Sequence, residues 1–388
     1  MTVTSPKGFR AAGVTAGIKA SGKPDVALVV NDGPLQVSAG VFTSNRFKAA
    51  PVLWSEQVLK ERSLRAVFLN SGGANACTGP QGFADTHRTA EYVAGAITGT
   101  GVDTGAGEVA VCSTGLIGEL LPMEKILLGV DMATAALDTT GGADAAVSIM
   151  TTDTVPKTAS FAGDGFIVGG MAKGAGMLAP ALATMLVVIT TDAVISADLA
   201  ESALRTATSL TFDRIDSDGC MSTNDTVILM ASGASGTEPS AAAFTEALTV
   251  VCGSLARQLI GDAEGASKDI EIAVVGAASV SDALEVARAV SRSNLLKCAI
   301  HGEDPNWGRV LAAAGTTSAA FEPDQVDVLM NGVRVCKSGG VGEDRSLVSL
   351  AGREVAIRIE LHAGTDEATV WTNDLTADYV HENSAYST

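Results

Sequence analysis

The chain contains 388 residues, of which 46% are hydrophobic, 4% aromatic and 18% charged. This apolar content can supply a packed core and excludes an intrinsically disordered chain, and the length suits two or three domains or one large α/β body. The 26 basic and 44 acidic side chains give a formal net charge of −18. Because such an acidic protein repels phosphate backbones and anionic lipid surfaces, we expect neither nucleic acid nor a membrane as a partner.

Short β-type runs alternate with amphipathic helical patterns along most of the chain. In chain order, the predicted strands are Val26–Val30, Ala66–Leu69, Val109–Ser113, Met185–Thr190, Val227–Met230, Ile270–Val275 and Val355–Glu360. The predicted helices are Thr86–Ile97, Met123–Leu137, Ala197–Leu210, Ala241–Leu259 and Ser281–Ser291. Mixed alternation of this kind is typical of layered α/β folds.

Residue types that often carry metal or nucleotide chemistry are scattered. No two of the six cysteines form a CxxC pair, so we predict reduced, buried thiols. The four histidines form no HxxxH or HExxH pattern, which argues against a zinc site. No GxGxxG follows a predicted strand, and both the P-loop spacing and the GxSxG elbow of serine hydrolases are missing. We therefore expect no metal and no cofactor.

The hydropathy of the chain argues against export and against a membrane span. The amino-terminal residues lack the apolar stretch of a signal peptide. The most apolar window, residues 177–190, is interrupted by Pro180. It is also shorter than the about 20 residues that a bilayer requires. We expect a soluble protein of the cytoplasm.

Four loops are rich in Gly, Asn, Ser and Thr, as is typical of the places where α/β proteins carry chemistry. They are residues 70–79, 112–118, 169–176 and 213–225. For each loop alone, an ordinary turn is the alternative. In the last loop, Asp216 and Asp218 could hold a cation, but no Glu closes an EF-hand pattern there. We favour an Asx-type polar turn at this position.

Thr184 stands between a segment of small residues and a strongly β-type run. A β-branched residue at the start of a buried strand often serves packing alone. The alternative is an amino-terminal nucleophile. If the bond before Thr184 is cut, its freed α-amino group, with a pKa of roughly 7.7–8.0, becomes a base within reach of the hydroxyl. A site of this kind needs no histidine.

The segment KGAGMLAPALATML (residues 173–186) closely resembles the self-cleavage signature of the ornithine acetyltransferases, also called glutamate N-acetyltransferases. Further matching motifs follow the same order along the whole chain. They are GIK (17–19), NSGGANAC (70–77), CSTGLIG (112–118), MTTD (150–153), STNDT (222–226), DAEG (262–265), DPNWGR (304–309) and ENSAYST (382–388). So many long motifs in one order make this resemblance highly specific.

The resemblance implies a role for individual residues. The chain would cleave itself between Ala183 and Thr184, and Thr184 would carry the acetyl group as an ester, with its own α-amine as general base. The hydroxyl of Thr114 and the N–H of Gly115 would form the oxyanion hole. Substrate contacts are implied for Thr151, Lys173, Thr184, Glu264, Asn383 and Thr388. Lys173 suits a substrate carboxylate, and Glu264 suits the ammonium group of ornithine.

The resemblance also implies the reaction and the fold. Acetyl would move from N2-acetylornithine to glutamate by a ping-pong route in arginine biosynthesis, with acetyl-CoA as a second donor in some members. The fold would be a central α-β-β-α sandwich, layered like that of N-terminal-nucleophile hydrolases, with additional smaller α/β substructure. Residues 1–183 and 184–388 would form two chains of one intertwined body, with two copies of each chain in the assembly. An amidohydrolase or aminopeptidase with the same nucleophile and a non-catalytic small-molecule-binding protein are the alternatives.

Overall fold

The computed structural model describes residues 2–178 and 185–385, and in that part of the chain fifteen strands and ten α-helices are found. The strands are β1 (Phe9–Val14), β2 (Val26–Asn31), β3 (Val37–Phe42), β4 (Ala66–Ser71), β5 (Val109–Thr114), β6 (Lys157–Ala162), β7 (Ile167–Lys173), β8 (Leu186–Thr191), β9 (Thr226–Ala231), β10 (Asp269–Ala277), β11 (Asp327–Met330), β12 (Val333–Lys337), β13 (Gly340–Val341), β14 (Glu354–Glu360) and β15 (Asp366–Asn373). The helices are α1 (Ala50–Val58), α2 (Gly79–Thr98), α3 (Met123–Ala135), α4 (Gly142–Ser148), α5 (Ala197–Leu210), α6 (Ala241–Gly261), α7 (Val280–Ser291), α8 (Asn294–His301), α9 (Trp307–Ala314) and α10 (Ala377–Ala385).

The first sheet has the strand order β1-β2-β4-β5, and only its β4–β5 pair is parallel. The connection between these two strands runs through α2, because parallel neighbours need a long crossover. All residues of β2, β4 and β5 are buried. Ser71 and Thr114, the last residues of β4 and β5, lie opposite each other. The parallel pair therefore brings two polar loops to the same edge of the sheet.

The second sheet has the order β3-β9-β8-β7-β6 and packs face to face on the first. Side chains in its central strands alternate between the two faces, as the pleat requires. Val188 and Ile228 pack into the core shared with the first sheet, whereas Val187 and Leu229 pack under α5 and α6. Helices α2 and α3 cover the first sheet. The layers are α-β-β-α, as the family resemblance predicted.

A third sheet forms the smaller α/β substructure that was also predicted. Its order is β13-β12-β11-β14-β10-β15, and α7, α8 and α9 pack over its apolar face. After β15, the chain returns towards the sandwich through α10. The Oγ1 of Thr376 donates to the carbonyl of Gly265 at 2.7 Å and accepts from the N–H of Tyr379 at 2.9 Å. These bonds fix the start of α10 beside the loop that carries Glu264.

Several elements differ from the sequence predictions. The predicted loop 169–176 is wrong in its first half, because Ile167–Lys173 forms β7. The two glycines of β7 allow close packing of neighbouring segments. A Cβ on Gly169 would lie 2.3 Å from the carbonyl oxygen of Thr2, and one on Gly170 would lie 3.0 Å from Leu255. Helix α2 begins at Gly79, seven residues before the predicted start at Thr86.

Two further observations concern the whole described chain. The six cysteines are free, but Cys77, Cys220 and Cys298 are exposed, so the prediction of buried thiols is wrong for these three. They lie in loops or on the outer face of a helix, where the sequence pattern carried no burial signal. Within residues 2–178 and 185–385, no helix is long and apolar enough to cross a membrane.

Candidate active site

A cleft of about 130 Å³ lies at one end of the interface between the first two sheets. Six of the residues predicted from the sequence line it: Thr114, Gly115, Thr151, Lys173, Glu264 and Asn383. They come from segments that are up to 269 residues apart in the chain, and the fold brings them together. The other predicted residues, Ala183, Thr184 and Thr388, lie outside the residues that the structure describes.

Thr114 and Gly115 form the wall of the cleft that belongs to the first sheet. Thr114 ends β5, and its carbonyl accepts from the N–H groups of Gly72 and Gly73 at 2.9 and 3.0 Å. This close approach requires a glycine next, since a Cβ on Gly115 would lie 2.5 Å from the Gly73 nitrogen, and its φ of +133° also favours glycine. Among the described residues, the N–H of Gly115 has no hydrogen-bond acceptor. A donor without a described partner therefore belongs to a residue that lines the cleft.

Lys173 provides the opposite wall. It ends β7 and points to the same face as Met171, which packs towards the first sheet. Its side chain is fully buried, and its Nζ lies 3.3 Å from the Oγ1 of Thr114. Burial lowers the pKa of Lys173, while the nearby carboxylates of Asp153 and Glu264 oppose this shift. The Lys173 amino group is therefore held in this wall of the cleft, with two carboxylates near enough to favour its charged form.

Asp153 connects two edges of the cleft, and the sequence reasoning gave it no role. One of its oxygens accepts from the backbone N–H of Thr151 at 2.9 Å. The other accepts from the N–H of Gly174 at 2.7 Å and from the Nζ of Lys157 at 2.6 Å. Burial alone would raise the pKa of Asp153, but Lys173, Lys157 and the hydrogen bonds outweigh it, and the pKa falls to about 2. Asp153 is thus a permanent negative charge that holds both segments.

Lys19, from the GIK motif, holds the backbone just before Thr151. Its Nζ donates to the carbonyl of Met150 at 2.6 Å and to that of Pro24 at 2.7 Å. Burial lowers the pKa of Lys19 to about 8, with Asp25 opposing the shift and Lys173 adding to it. Thr151 therefore sits between two anchored neighbours.

Glu264 and Asn383 close the cleft from the side of the third sheet. The Nδ2 of Asn383 donates to the Oε2 of Glu264 at 2.9 Å. The backbone N–H of Glu264 donates to the carbonyl of Ala175 at 2.9 Å, so its loop lies against the chain that follows β7. A Cβ on Gly176 would lie 2.6 Å from a carboxylate oxygen of Glu264. The glycine leaves room for this carboxylate in the cleft.

The STNDT motif supplies cleft residues for which the sequence predicted no function. Ser222, Thr223 and Asn224 line the cleft. The Nδ2 of Asn224 donates to the carbonyls of Ala74 and Ser113 at 2.6 and 2.8 Å, which ties the start of β9 to the end of β5. A motif of small polar residues just before a buried strand was the available signal.

Asp225, the next residue, is fully buried beside the cleft. Its Oδ1 accepts from the N–H of Met185 at 3.1 Å, and its Oδ2 has no hydrogen-bond partner among the described residues. Burial raises the pKa of Asp225 well above its ordinary value, although the Met185 N–H, Ser222 and Lys173 act in the opposite direction. The chain that re-enters the described structure at Met185 is therefore anchored next to Lys173, whose backbone pairs with Leu186.

Two groups of ligand-type side chains outside the cleft are already paired. Asp216 accepts from the N–H of Gly219 at 3.1 Å and Asp218 from that of Cys220 at 3.0 Å, so the predicted Asx-type turn is confirmed. A second acidic group, formed by Asp327, Glu360 and His362, has donor atoms close enough for a metal ion. There, the guanidinium of Arg334 already bridges Asp327 and Glu360.

Known proteins match the chain over its full length. A model of the ArgJ family matches residues 10–388. The arginine biosynthesis bifunctional protein ArgJ of Streptomyces coelicolor is 66% identical over 387 residues, and that of Streptomyces avermitilis is 67% identical; both alignments cover 100% of each chain. A crystal structure of ornithine acetyltransferase complexed with ornithine from Mycobacterium tuberculosis is 58% identical. It covers 48% of this chain and 96% of its own, with a TM-score of 0.44.

Proposed function

The chain belongs to the ArgJ family, and from that premise we propose that it moves an acetyl group from N2-acetylornithine to L-glutamate. The products are ornithine and N-acetylglutamate, and the reaction belongs to arginine biosynthesis. The observation that carries the proposal is that the fold gathers Thr114, Gly115, Thr151, Lys173, Glu264 and Asn383 around one cleft. Their donors, cation and carboxylate match a substrate that has an acyl oxygen, a carboxylate and an ammonium group.

The first half-reaction forms an acetyl-enzyme. The bond between Ala183 and Thr184 is cut, and the hydroxyl of Thr184 attacks the acetyl carbonyl while its own α-amine takes the proton. An amine with a pKa of roughly 7.7–8.0 is suited to this task near neutral pH. The C–N bond of the substrate then breaks, and the α-ammonium returns the proton to the leaving nitrogen of ornithine. Met185, the next residue, is anchored on Asp225 beside Lys173, which supports a nucleophile at this position.

The second half-reaction reverses these steps with another amine. The amino group of glutamate attacks the acetyl ester, and acetyl leaves the Thr184 oxygen, which regains its proton. In both halves, negative charge develops on the acetyl oxygen. The hydroxyl of Thr114 and the N–H of Gly115, which has no acceptor among the described residues, are suited to stabilise it, and removal of one such donor typically costs about 100–1000-fold in rate.

Charge complementarity supports the orientation of N2-acetylornithine in the cleft. Glu264 would pair with the distal ammonium group, and Lys173 offers a cation to the α-carboxylate. Thr151, Asn383 and Thr388 would complete the contacts. Because the net charge of the protein is −18, an anionic acceptor such as glutamate needs a local cation, and Lys173 provides one.

The proposal includes two chains, residues 1–183 and 184–388, that stay associated as one body. In the second sheet, β8 and β9 of the later segment lie between β3 and the β7–β6 pair of the earlier one. A cut after residue 183 would therefore leave both chains hydrogen-bonded in one sheet. We extend the proposal to an assembly with two copies of each chain in the cytoplasm. Native mass spectrometry tests the assembly, because a complex of about twice 39.2 kDa is expected.

The deciding experiment incubates the purified protein with N2-acetylornithine in the presence and absence of glutamate. We expect N-acetylglutamate and ornithine to form together, with ornithine release limited to one burst when glutamate is omitted. Continuous release of acetate without glutamate would overturn the proposal in favour of an amidohydrolase. A parallel reaction with acetyl-CoA and glutamate shows whether a second acetyl donor is used.

Intact-mass measurement of the same preparation tests the nucleophile. The active protein should consist of two chains, whereas the Thr184→Ala variant should stay as one chain and be inactive. An active preparation that contains only the 39.2 kDa species would contradict the mechanism.

A further inference from the structure

Lys173 is a buried lysine that has one hydrogen-bond acceptor within the described residues. Its side chain is fully buried, and within the described residues the only acceptor for its Nζ is the Oγ1 of Thr114, at 3.3 Å. An ammonium group has three N–H donors, and a buried charge usually engages several acceptors. The one bond that Lys173 does make is therefore informative.

The neighbouring carboxylates of Asp153, Glu264 and Asp225 do not accept a hydrogen bond from Lys173 within the described residues. Asp153 already accepts from Thr151, Gly174 and Lys157. Glu264 accepts from Asn383. These charges stabilise the ammonium of Lys173 through space, but they do not determine its direction. That direction is set by Thr114.

The polarity of this bond determines where the proton of Thr114 points. The Nζ of Lys173 is the donor in this bond, so the hydroxyl oxygen of Thr114 is the acceptor. The hydroxyl proton therefore does not point towards Lys173 and remains available on the cleft side, where Gly115, whose N–H has no acceptor among the described residues, also lies. A hydroxyl whose oxygen accepts from a cation is also a stronger donor, because successive hydrogen bonds polarise one another.

We propose that Lys173 is a positioning residue for the oxyanion hole: it orients and polarises the Thr114 hydroxyl towards the acetyl oxygen. This inference rests on the proposed acetyl transfer and adds to it, because the family resemblance assigns Lys173 only to substrate contact. The two remaining N–H groups can still meet a substrate carboxylate. The rate effect of Lys173 nevertheless passes mainly through Thr114.

A double-mutant cycle tests this role with Lys173→Met, Thr114→Val and the combined variant. The measured quantity is the single-turnover rate of ornithine release, normalised to the fraction of chain that has been cut. We expect Thr114→Val to lower this rate about 100–1000-fold, as for the loss of one oxyanion donor. Lys173→Met should lower it at least tenfold, and the combined variant should be no slower than Thr114→Val alone. If the two losses multiply, Lys173 acts independently of Thr114 and the inference is overturned.

A donor substrate without the α-carboxylate separates the positioning role of Lys173 from carboxylate binding. N-acetyl-1,4-diaminobutane keeps the acetyl and distal ammonium groups of the substrate but lacks its α-carboxylate. The factor by which Lys173→Met lowers kcat/KM should persist with this donor, because the oxyanion is still formed. If the factor disappears, Lys173 serves the carboxylate alone. The conservative Lys173→Arg variant should recover part of the rate, since it keeps a cationic donor.

Controls distinguish this inference from a folding defect and from failure of the proposed function. Lys268→Met removes another buried lysine, whose Nζ donates to the carbonyls of Leu350 and Gly352 in the third-sheet unit. It should lower the melting temperature without changing the ornithine-release rate. If Lys173→Met is not cut, Lys173→Gln, which keeps a polar side chain without the charge, replaces it in the cycle. If the wild-type protein transfers no acetyl group from N2-acetylornithine, the proposed function fails. If the wild-type enzyme is active and the two losses in rate multiply, only the role of Lys173 is refuted.

Discussion

Lys157 and Lys173 are two fully buried lysines on neighbouring strands with opposite surroundings. Lys157 begins β6 and Lys173 ends β7, so both lie at the same end of an antiparallel pair. The Nζ of Lys157 contacts Asp153 at 2.6 Å and Asp262 at 2.5 Å. Within the described residues, the Nζ of Lys173 hydrogen-bonds only to a neutral hydroxyl, that of Thr114. Lys157 thus has two carboxylates in direct contact, and Lys173 has none in the described part of the chain.

The difference shows how the same residue type can serve structure in one place and chemistry in another. A buried ion pair with complete hydrogen bonding is rigid, and breaking it leaves an uncompensated charge. Lys157 therefore fixes the β6 end of the sheet and, through Asp153, the segments around Thr151 and Gly174. Among the residues that the structure describes, Lys173 has only one acceptor at the wall of a cleft, which favours interaction with a substrate or with a group that acts on it.

Among the variants that test this comparison, Asp153→Asn should have the largest effect on stability. It removes the carboxylate charge that faces Lys157 and weakens the bonds to Thr151 and Gly174. Loss of one partner of a buried pair typically costs about 3–5 kcal/mol, so we expect a large fall in the melting temperature together with weaker activity. Asp32→Asn is the matched control, because its pair with Arg10 is partly exposed and should contribute less than about 1 kcal/mol. Equal losses in both variants would contradict the structural role of Asp153.

The loss of folding stability at low pH should depend on the same carboxylate, that of Asp153. The pKa of Asp153 is lowered from 3.8 to about 2 in the folded protein. A lowered carboxyl pKa stabilises the fold above the unfolded value, and this contribution is lost as the pH falls through the folded value. The shift corresponds to about 2 kcal/mol. The stability difference between wild type and Asp153→Asn should therefore be constant above about pH 5 and shrink by this amount towards pH 2. Melting temperatures measured across this range test it, and a difference independent of pH would refute it.

Gly176→Ala should affect the substrate side of the cleft more than the fold. The added Cβ would lie 2.6 Å from the carboxylate of Glu264, which has to move because it is the flexible end of its side chain. We expect KM for N2-acetylornithine to rise about tenfold, or about 1.4 kcal/mol, with little change in melting temperature. Gly107→Ala is the control, since nothing lies within 4 Å of its added Cβ. An unchanged KM would mean that Glu264 does not contact this substrate.

The smallest effect is expected for Asp225→Asn. Burial raises the pKa of Asp225 well above its ordinary value and so favours its neutral form in the fold. A raised carboxyl pKa contributes stability at low pH that is lost as the pH rises through the folded value. At about pH 4, close to the unfolded value, the neutral amide should therefore leave the melting temperature nearly unchanged. At pH 9, the variant should be more stable than the wild type. A loss of stability that grows with pH would show that Asp225 is charged in the fold.

The contrast between the two lysines also marks the limit of sequence reasoning. Lys173 could be assigned to the site because it begins a long motif of the family resemblance, and the buried strands β2, β5 and β9 were predicted from local apolar runs. The pair between Lys157 and Asp262 could not be predicted, because Asp262 lies 105 residues beyond Lys157 and no local pattern connects them. Strand β7 was missed because its glycines are typical of loops. Only the packing of Thr2 and Leu255 against them explains why they lie in a strand.

The strand order of the second sheet has a consequence for the refolding of a protein cut after residue 183. Strands β8 and β9 are bordered by β3 on one side and β7 on the other, and these flanking strands belong to the other chain. Once unfolded, such a protein has two separate molecules that must meet before this sheet can form. Its refolding is then second order and slows on dilution, whereas an uncut Thr184→Ala chain refolds in a first-order process. Cleavage would thus turn reversible unfolding into a loss that is hard to recover at low concentration, and the lifetime of the enzyme would depend on its unfolding rate.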